Sequence, residues 1–214
     1  MSWLDLEQLL LTEQPARPVS LAPSLQHGEL REQALRLAAG LQTRGVRRLA
    51  VHLEDTADLA IALLGAWRAG AKVLLPADLQ GQTRQRLNPH VDLWLSEHPG
   101  DANLSSLLDL CTSGSSGEAK LIDKSLRQLG NEVRALEHLW GAELGQACIV
   151  GSVAAQHIYG LLFRVLWPLC AGRVFVRRAQ PFPEDLQRVS LEHASGLSGS
   201  VTSADEARQI QARP

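Results

Sequence analysis

Leu49 to Leu53 is an apolar run of strand length, and the helix and second strand after it decide the fold class. Asp55 or Thr56 can cap a helix that runs to about Ala69 and is apolar on nearly every side, through Leu59, Ile61, Leu63, Leu64 and Trp67. Gly70 stops that helix, and Lys72 to Leu75 is a second short strand before Pro76. Two strands joined through a helix cannot pair as a tight hairpin; they pair in parallel, with a right-handed crossover. A helix apolar nearly all round has to be covered on more than one side. The pattern predicts an α/β fold, a mostly parallel sheet flanked by helices on both faces.

The rest of the chain alternates strand and helix signals. Ser2 to Thr12 reads as a short helix, broken by Pro15 and Pro18, and Val19 to Leu25 as a short strand or extended segment. In Glu29 to Thr43, Leu30, Ala34, Leu37, Ala38 and Leu41 share one helix face, and Gly45 supplies the stop. Gln80 to Leu87 is a polar helix or turn, and Val91 to Leu95 and Leu107 to Cys111 are strands. Residues 125–140 are amphipathic, with Leu126, Leu129, Val133, Leu136 and Trp140 at helical spacing. Gln146 to Val150 is a strand, Gly151 to Gln156 a loop of small residues, and Ile158 to Leu169 a second helix read as apolar throughout. Gly172 ends it, Arg173 to Val176 is the next strand, and Pro183 to Glu192 a helix with proline tolerated near its start. A strand is expected next, but Gly196 to Val201 makes a poor one, so the tail is predicted to be loosely held.

A net charge of −2 offers no electrostatic case for nucleic acid, and no basic stripe with interleaved aromatics occurs. Arg47-Arg48 and Arg177-Arg178 flank strand-like runs and read as solvated ends. Cys111, Cys148 and Cys170 lie in or beside apolar runs without a CxxC, which predicts buried free thiols and a reducing, cytoplasmic setting. Met1 to Leu11 is acidic and does not read as a signal peptide. No apolar run approaches the roughly 20 residues of a membrane span. His27, His52, His90, His98, His138 and His193 show no metal-ligand spacing, so no metal ligand is assigned. Trp67, Trp140 and Trp167 fall on apolar faces and read as core.

Leu110-Cys111-Thr112-Ser113-Gly114-Ser115-Ser116-Gly117-Glu118-Ala119-Lys120 carries the chemistry. Gly114 and Gly117 allow close backbone approach, Thr112, Ser113, Ser115 and Ser116 supply hydroxyl donors, and free N–H groups in such a turn form an anion-binding concavity. Lys120 adds a point charge for phosphate oxygens. It is not a Walker A loop, which needs four residues between its glycines and then Gly-Lys-Ser/Thr. The residues are read as a cradle for a nucleotide's phosphates. Their composition also suits a flexible Ser/Gly surface loop.

The run Leu110 to Lys120 resembles the phosphate-loop signature of the adenylate-forming superfamily: acyl-CoA synthetases, aryl-acid ligases and peptide-synthetase adenylation domains. His27-Gly28-Glu29-Leu30 with its helix looks like the family's early segment, and Leu63 to Pro76 like its helix-strand step. Gln156-His157-Ile158-Tyr159-Gly160-Leu161-Leu162, with Leu166 to Gly172 after it, resembles the family's H-x-x-G region. The resemblance implies ATP-dependent activation of a fatty or aromatic carboxylic acid, with Mg²⁺, and a CoA or carrier-protein acceptor. By position, Thr112, Ser113, Gly114, Ser115, Ser116, Gly117 and Lys120 would hold the β- and γ-phosphates, and His157, Tyr159 and Gly160 would line the acid pocket. A lone histidine there equally suits a helix N-terminus.

The family's Tyr-Gly-x-Thr-Glu motif, its Thr-Gly-Asp ribose aspartate and the catalytic lysine of its C-terminal domain have no counterpart here, so no catalytic residue is assigned. The chain is expected to be a single incomplete α/β domain over 1–214, with a first half at 1–109, a phosphate-loop half at 110–192 and an atypical tail at 193–214. It is expected to be incompetent for full catalysis alone. Two other readings stand beside this one. One is a non-enzymatic remnant that binds phosphate or a partner, or self-associates through exposed apolar helices at 57–69 and 158–170. The other is an unrelated α/β nucleotide-binding or hydrolase domain.

Overall fold

The computed structural model describes residues 3–104, 125–194 and 202–203. In chain order the strands and helices are β1 (Pro18–Leu21), β2 (Leu25–Gln26), α1 (His27–Thr43), β3 (Arg48–His52), α2 (Thr56–Ala69), β4 (Lys72–Leu74), α3 (Gly81–Leu87), β5 (Leu93–Ser96) and α4 (Leu126–Leu144). After these come β6 (Ile149–Val150), α5 (Ile158–Gly160), a π-helical stretch Leu161–Leu166, α6 (Trp167–Ala171), β7 (Phe175–Val176), α7 (Pro183–Ala194) and β8 (Thr202–Ser203). The expected strand Leu107–Cys111 and most of the tail lie outside the described residues.

The chain divides into two compact units. Met1–Gly28, Glu54–Ala57 and Lys124–Pro214 form the first, and Glu29–Leu53 with Asp58–Asp123 the second. In the second unit β3 lies between β4 and β5 and is parallel to both, and its pairing with β4 is the one the strand-helix-strand pattern predicts. Leu49, Ala50 and Val51 are each 0% exposed, so this central strand is covered on both faces. α2 is buried on every side through Leu59, Ile61, Ala62, Leu63 and Ala66. Its one helical glycine marks the crossing with α1: a Cβ on Gly65 would stand 2.9 Å from both the Ala34 carbonyl oxygen and Leu37 Cδ2.

α3 is the polar helix expected after Gln80, and one arginine docks it. Arg84 donates both guanidinium nitrogens to Asp101, at 2.8 and 2.6 Å, and lies 4.4 Å from the centre of the Trp94 ring. Trp94 in turn donates to Asn88 Oδ1 at 2.8 Å.

In the first unit the strand order is β2-β1-β7-β6-β8. β1 and β2 are antiparallel, and every other pairing is parallel. Val19 to Leu25 is thus a hairpin rather than one strand, with the residues around Pro23 turning the chain. The expected helix Ser2–Thr12 is only a 3₁₀ turn, Leu6–Gln8. Leu4, Leu6, Leu9 and Leu10 are all buried, a set that no single helix face presents, and the Leu4 N–H is bonded to the Cys170 carbonyl at 2.9 Å. α4 begins with a capping box, Ser125 with Gln128, and runs on to Leu144. α7 lays Val189 and Leu186 on Cys148, Val150 and Val176. The helix after Gln156 is not a plain α-helix, because its middle is π-helical.

Of the arginines read as solvated strand ends, Arg48, Arg177 and Arg178 carry ion pairs, and the first two are largely buried. Arg48 holds Asp92 at 2.8 Å and Arg177 holds Asp55 at 2.7 Å. Asp92 is buried, which works against its charge, but hydrogen bonds from the Arg48 side chain and from the N–H groups of Arg47 and Arg48 outweigh that and hold its pKa below the ordinary 3.8. A carboxyl with a lowered folded-state pKa adds stability above its unfolded pKa and loses it as pH falls through the folded value. Urea unfolding should therefore show stability declining below about pH 5. Asp92→Asn should cost about 1–3 kcal/mol at neutral pH and flatten that acid dependence. An unchanged slope would mean that Asp92 does not carry it.

Candidate functional site

In an open parallel sheet, ligands bind beyond the carboxyl ends of the strands, where successive crossovers lead in opposite directions. From β6 the chain crosses to β7 on one side, and from β7 it returns past β6 to β8 on the other. Right-handed crossovers in opposite directions put their helices on opposite faces. By this rule a ligand's place is beyond the carboxyl end of β6, which continues into the loop 151–156 and then His157.

That loop is held from below. Arg164, in the π-helical stretch, is 1% exposed. Its guanidinium donates to the Val153 carbonyl at 2.8 Å and to the Val176 carbonyl, the last residue of β7, at 3.4 Å. Gly151 makes room for it, since a Cβ there would stand 2.7 Å from Arg164 Cδ. Burial pulls the Arg164 pKa down to about 10, with Asp55 acting in the opposite direction, so the group remains a cation at neutral pH. The Gly151 carbonyl accepts from the Gln180 N–H at 2.9 Å.

His157 is the N-cap of α5, with extended backbone, and its side chain is exposed and makes no capping bond. Its carbonyl accepts from Leu161 N–H at 2.7 Å. Tyr159 is 52% exposed and stacks on Phe163, with ring centres 6.5 Å apart. Phe163 meets Trp140 and the edge of Trp167, so an aromatic row leads from the surface into the core. Gly160 has a packing reason to be glycine: a Cβ would fall on the Ala154 carbonyl oxygen and stand 2.9 Å from Ala155 Cα. The helix start therefore rests backbone-to-backbone on the loop.

Behind the aromatic row, Trp167 Nε1 donates to Glu137 at 2.6 Å, and Arg173 pairs with the same carboxylate at 2.6 Å. Arg173 also donates to the Gly141 and Gly145 carbonyls at the end of α4, at 3.0 and 2.8 Å. Burial would raise the Glu137 pKa, but the bonds from Arg173 and Trp167 outweigh it and hold the carboxyl below its usual value. Cys148 and Cys170 are buried free thiols, pushed by that burial up to about 11 and about 12, which works against the thiolate form.

Of the expected site residues, His157, Tyr159 and Gly160 stand together where the β6 loop becomes helix. Thr112, Ser113, Gly114, Ser115, Ser116, Gly117 and Lys120, like Cys111, lie outside the described residues. Reading Ile158 to Leu169 as apolar throughout overlooked Arg164 within it. An ion inside an apolar helix has to be bonded to something, and that was the available signal. Among the described residues no group of three His, Cys, Asp or Glu side chains could hold a metal ion, and no helix is long and apolar enough to cross a membrane.

No protein-family model and no curated protein matches the sequence. Solved structures do match. O-succinylbenzoate coenzyme A synthetase from Bacillus subtilis, in complex with the acyl-adenylate intermediate, superposes with a TM-score of 0.72 at 17% identity, over 97% of this chain and 64% of that one. The same enzyme with ATP and magnesium ion gives 0.68 at 16% identity, over 90% and 61%. MbtA from Mycobacterium smegmatis gives 0.67 at 20%, over 90% and 47%. The chain has the fold of the N-terminal portion of an adenylate-forming ligase. It spans less than two thirds of the length of these proteins.

Gly160→Ala should cost about 1–3 kcal/mol through overpacking. Amide hydrogen exchange should quicken across 151–157 before it does in α4. A variant as stable as the parent, with the loop unchanged, would show that the contact with Ala154 is not tight.

Proposed function

We propose that this chain is the phosphate-gripping and acid-holding portion of an ATP-dependent ligase that activates a carboxylic acid, fatty or aromatic, as its adenylate. The observation that carries the reading is the likeness of fold, over nine-tenths of the chain, to ligases whose solved complexes hold ATP with magnesium ion or an acyl-adenylate. The donor set agrees with it. Four hydroxyls, two glycines and one ammonium at Thr112, Ser113, Gly114, Ser115, Ser116, Gly117 and Lys120 suit the β- and γ-phosphates of a nucleotide.

When bound, MgATP supplies an electrophilic phosphorus and a pyrophosphate leaving group. The part of this chain is to hold those phosphates, with Lys120 and the hydroxyls stabilising the charge that grows as they leave. His157, Tyr159 and Gly160 border the acid's place at the carboxyl end of β6, and the acid would pass on to a CoA or carrier-protein thiol. No residue of this chain is assigned to Mg²⁺. These 214 residues contain no Tyr-Gly-x-Thr-Glu and no Thr-Gly-Asp, and none of them is assigned to adenine or ribose. On this reading the chain grips phosphate but does not complete the reaction alone.

Calorimetry with MgATP and with magnesium pyrophosphate should show binding that Lys120→Ala weakens about tenfold. Failure of the parent chain to bind either would overturn the reading. Acid-dependent exchange of pyrophosphate into ATP, run with fatty and aromatic acids, should be absent. Robust exchange would overturn the incompetence but not the family of chemistry.

A further inference from the structure

A site that takes an acid has to favour an anion over a neutral ligand, and one buried cation lies beside the loop after β6. Arg164 is fully buried, yet its only hydrogen-bond acceptors among the described residues are the neutral carbonyls of Val153 and Val176. Among the described residues no carboxylate stands within ion-pair distance of it. The carboxylate whose field reaches it is Asp55, and both oxygens of Asp55 are engaged by Arg177 Nε, at 2.8 and 2.7 Å. A buried ion without a matching counter-charge is costly to hold. This one lies beneath the carboxyl ends of β6 and β7. Gly151 lets its stem pass against the start of the loop.

We infer that Arg164 is a specificity residue: its buried, carbonyl-bound guanidinium selects a carboxylate over a neutral ligand at the carboxyl end of β6, acting across the 151–157 loop rather than by contact. The inference rests on the proposed function, because it takes the carboxyl end of β6 to be the acid's place. Coulomb attraction through a partly shielded interior reaches across such a loop, whereas through bulk water it would be negligible. Lysine can keep the charge but not the two-carbonyl fork, while glutamine and methionine remove the charge.

The test is a titration of the parent chain, Arg164→Lys, Arg164→Gln and Arg164→Met with benzoate and with benzamide, which share a ring and differ in charge. Binding is measured by NMR through the amides of residues 151–157. The parent should bind benzoate about tenfold more tightly than benzamide. Arg164→Lys should keep that preference, and the neutral variants should bind the two ligands equally. Arg164→Gln retains a donor for the Val153 carbonyl, so it serves should Arg164→Met fail to fold. A purely structural role would weaken both ligands alike and leave their ratio unchanged. Equal binding by the parent, loss of preference in Arg164→Lys, or a preference surviving in a folded neutral variant would each overturn the inference while leaving the acid pocket standing. Binding of neither ligand by the parent would instead remove the acid pocket, and the inference with it.

Discussion

Parallel strands cannot be joined by a tight turn, and the rest of this structure depends on that constraint. Each parallel pair needs a crossover, and each crossover lays a helix against the sheet. Both faces are then covered, which is why strands as short as Ile149–Val150 and Phe175–Val176 are fully buried. Two residues of ladder stabilise little by themselves. The apolar contacts of the helices, such as Val189 and Leu186 of α7 on Cys148, Val150 and Val176, do the holding. Chain order also marks a ligand's place. The path from β6 to β7 and back past β6 to β8 puts the reversal at β6, where ligands of open parallel sheets bind.

Three buried arginines donate to main-chain carbonyls near the ends of helices and strands. Arg17, Arg164 and Arg173 are 7%, 1% and 3% exposed. Arg17 donates to the Leu169 and Cys170 carbonyls at the end of α6, and Arg173 to those of Gly141 and Gly145 at the end of α4. The last carbonyls of a helix have no partner within it, and the negative end of the helix dipole favours a cation there. Arg173 has Glu137 as counter-ion and stands over the Trp167 ring. Arg164 has carbonyls alone among the described residues, and of the three it is the one that supports the loop leading to His157.

Local patterning made much of this legible. The parallel pairing of β3 with β4 could be read from a strand-length run, a helix apolar all round, Gly70 and a second run. His157, Tyr159 and Gly160, singled out by their motif, lie where the loop after β6 becomes helix. Other features were hidden because their cause is distant in sequence. The N-terminal leucines have helical composition, yet a hydrogen bond to Cys170 and burial on several sides leave only a 3₁₀ turn. Arg48 and Arg177 looked like strand ends until Asp92 and Asp55, far along the chain, came beside them.

The order of apolar runs, glycine stops and caps by itself determined that this protein is α/β with mostly parallel strands, because hydrophobic period and turn chemistry act over a few residues. It also marked which short stretches carry chemistry. Only the tertiary structure decided which strand lies beside which, that β6 stands at the reversal, and that a single arginine in an apolar helix would be buried beneath the candidate site. Those outcomes depend on contacts between residues far apart in the chain, where the burial of one group sets the cost of burying another, and no local period encodes that.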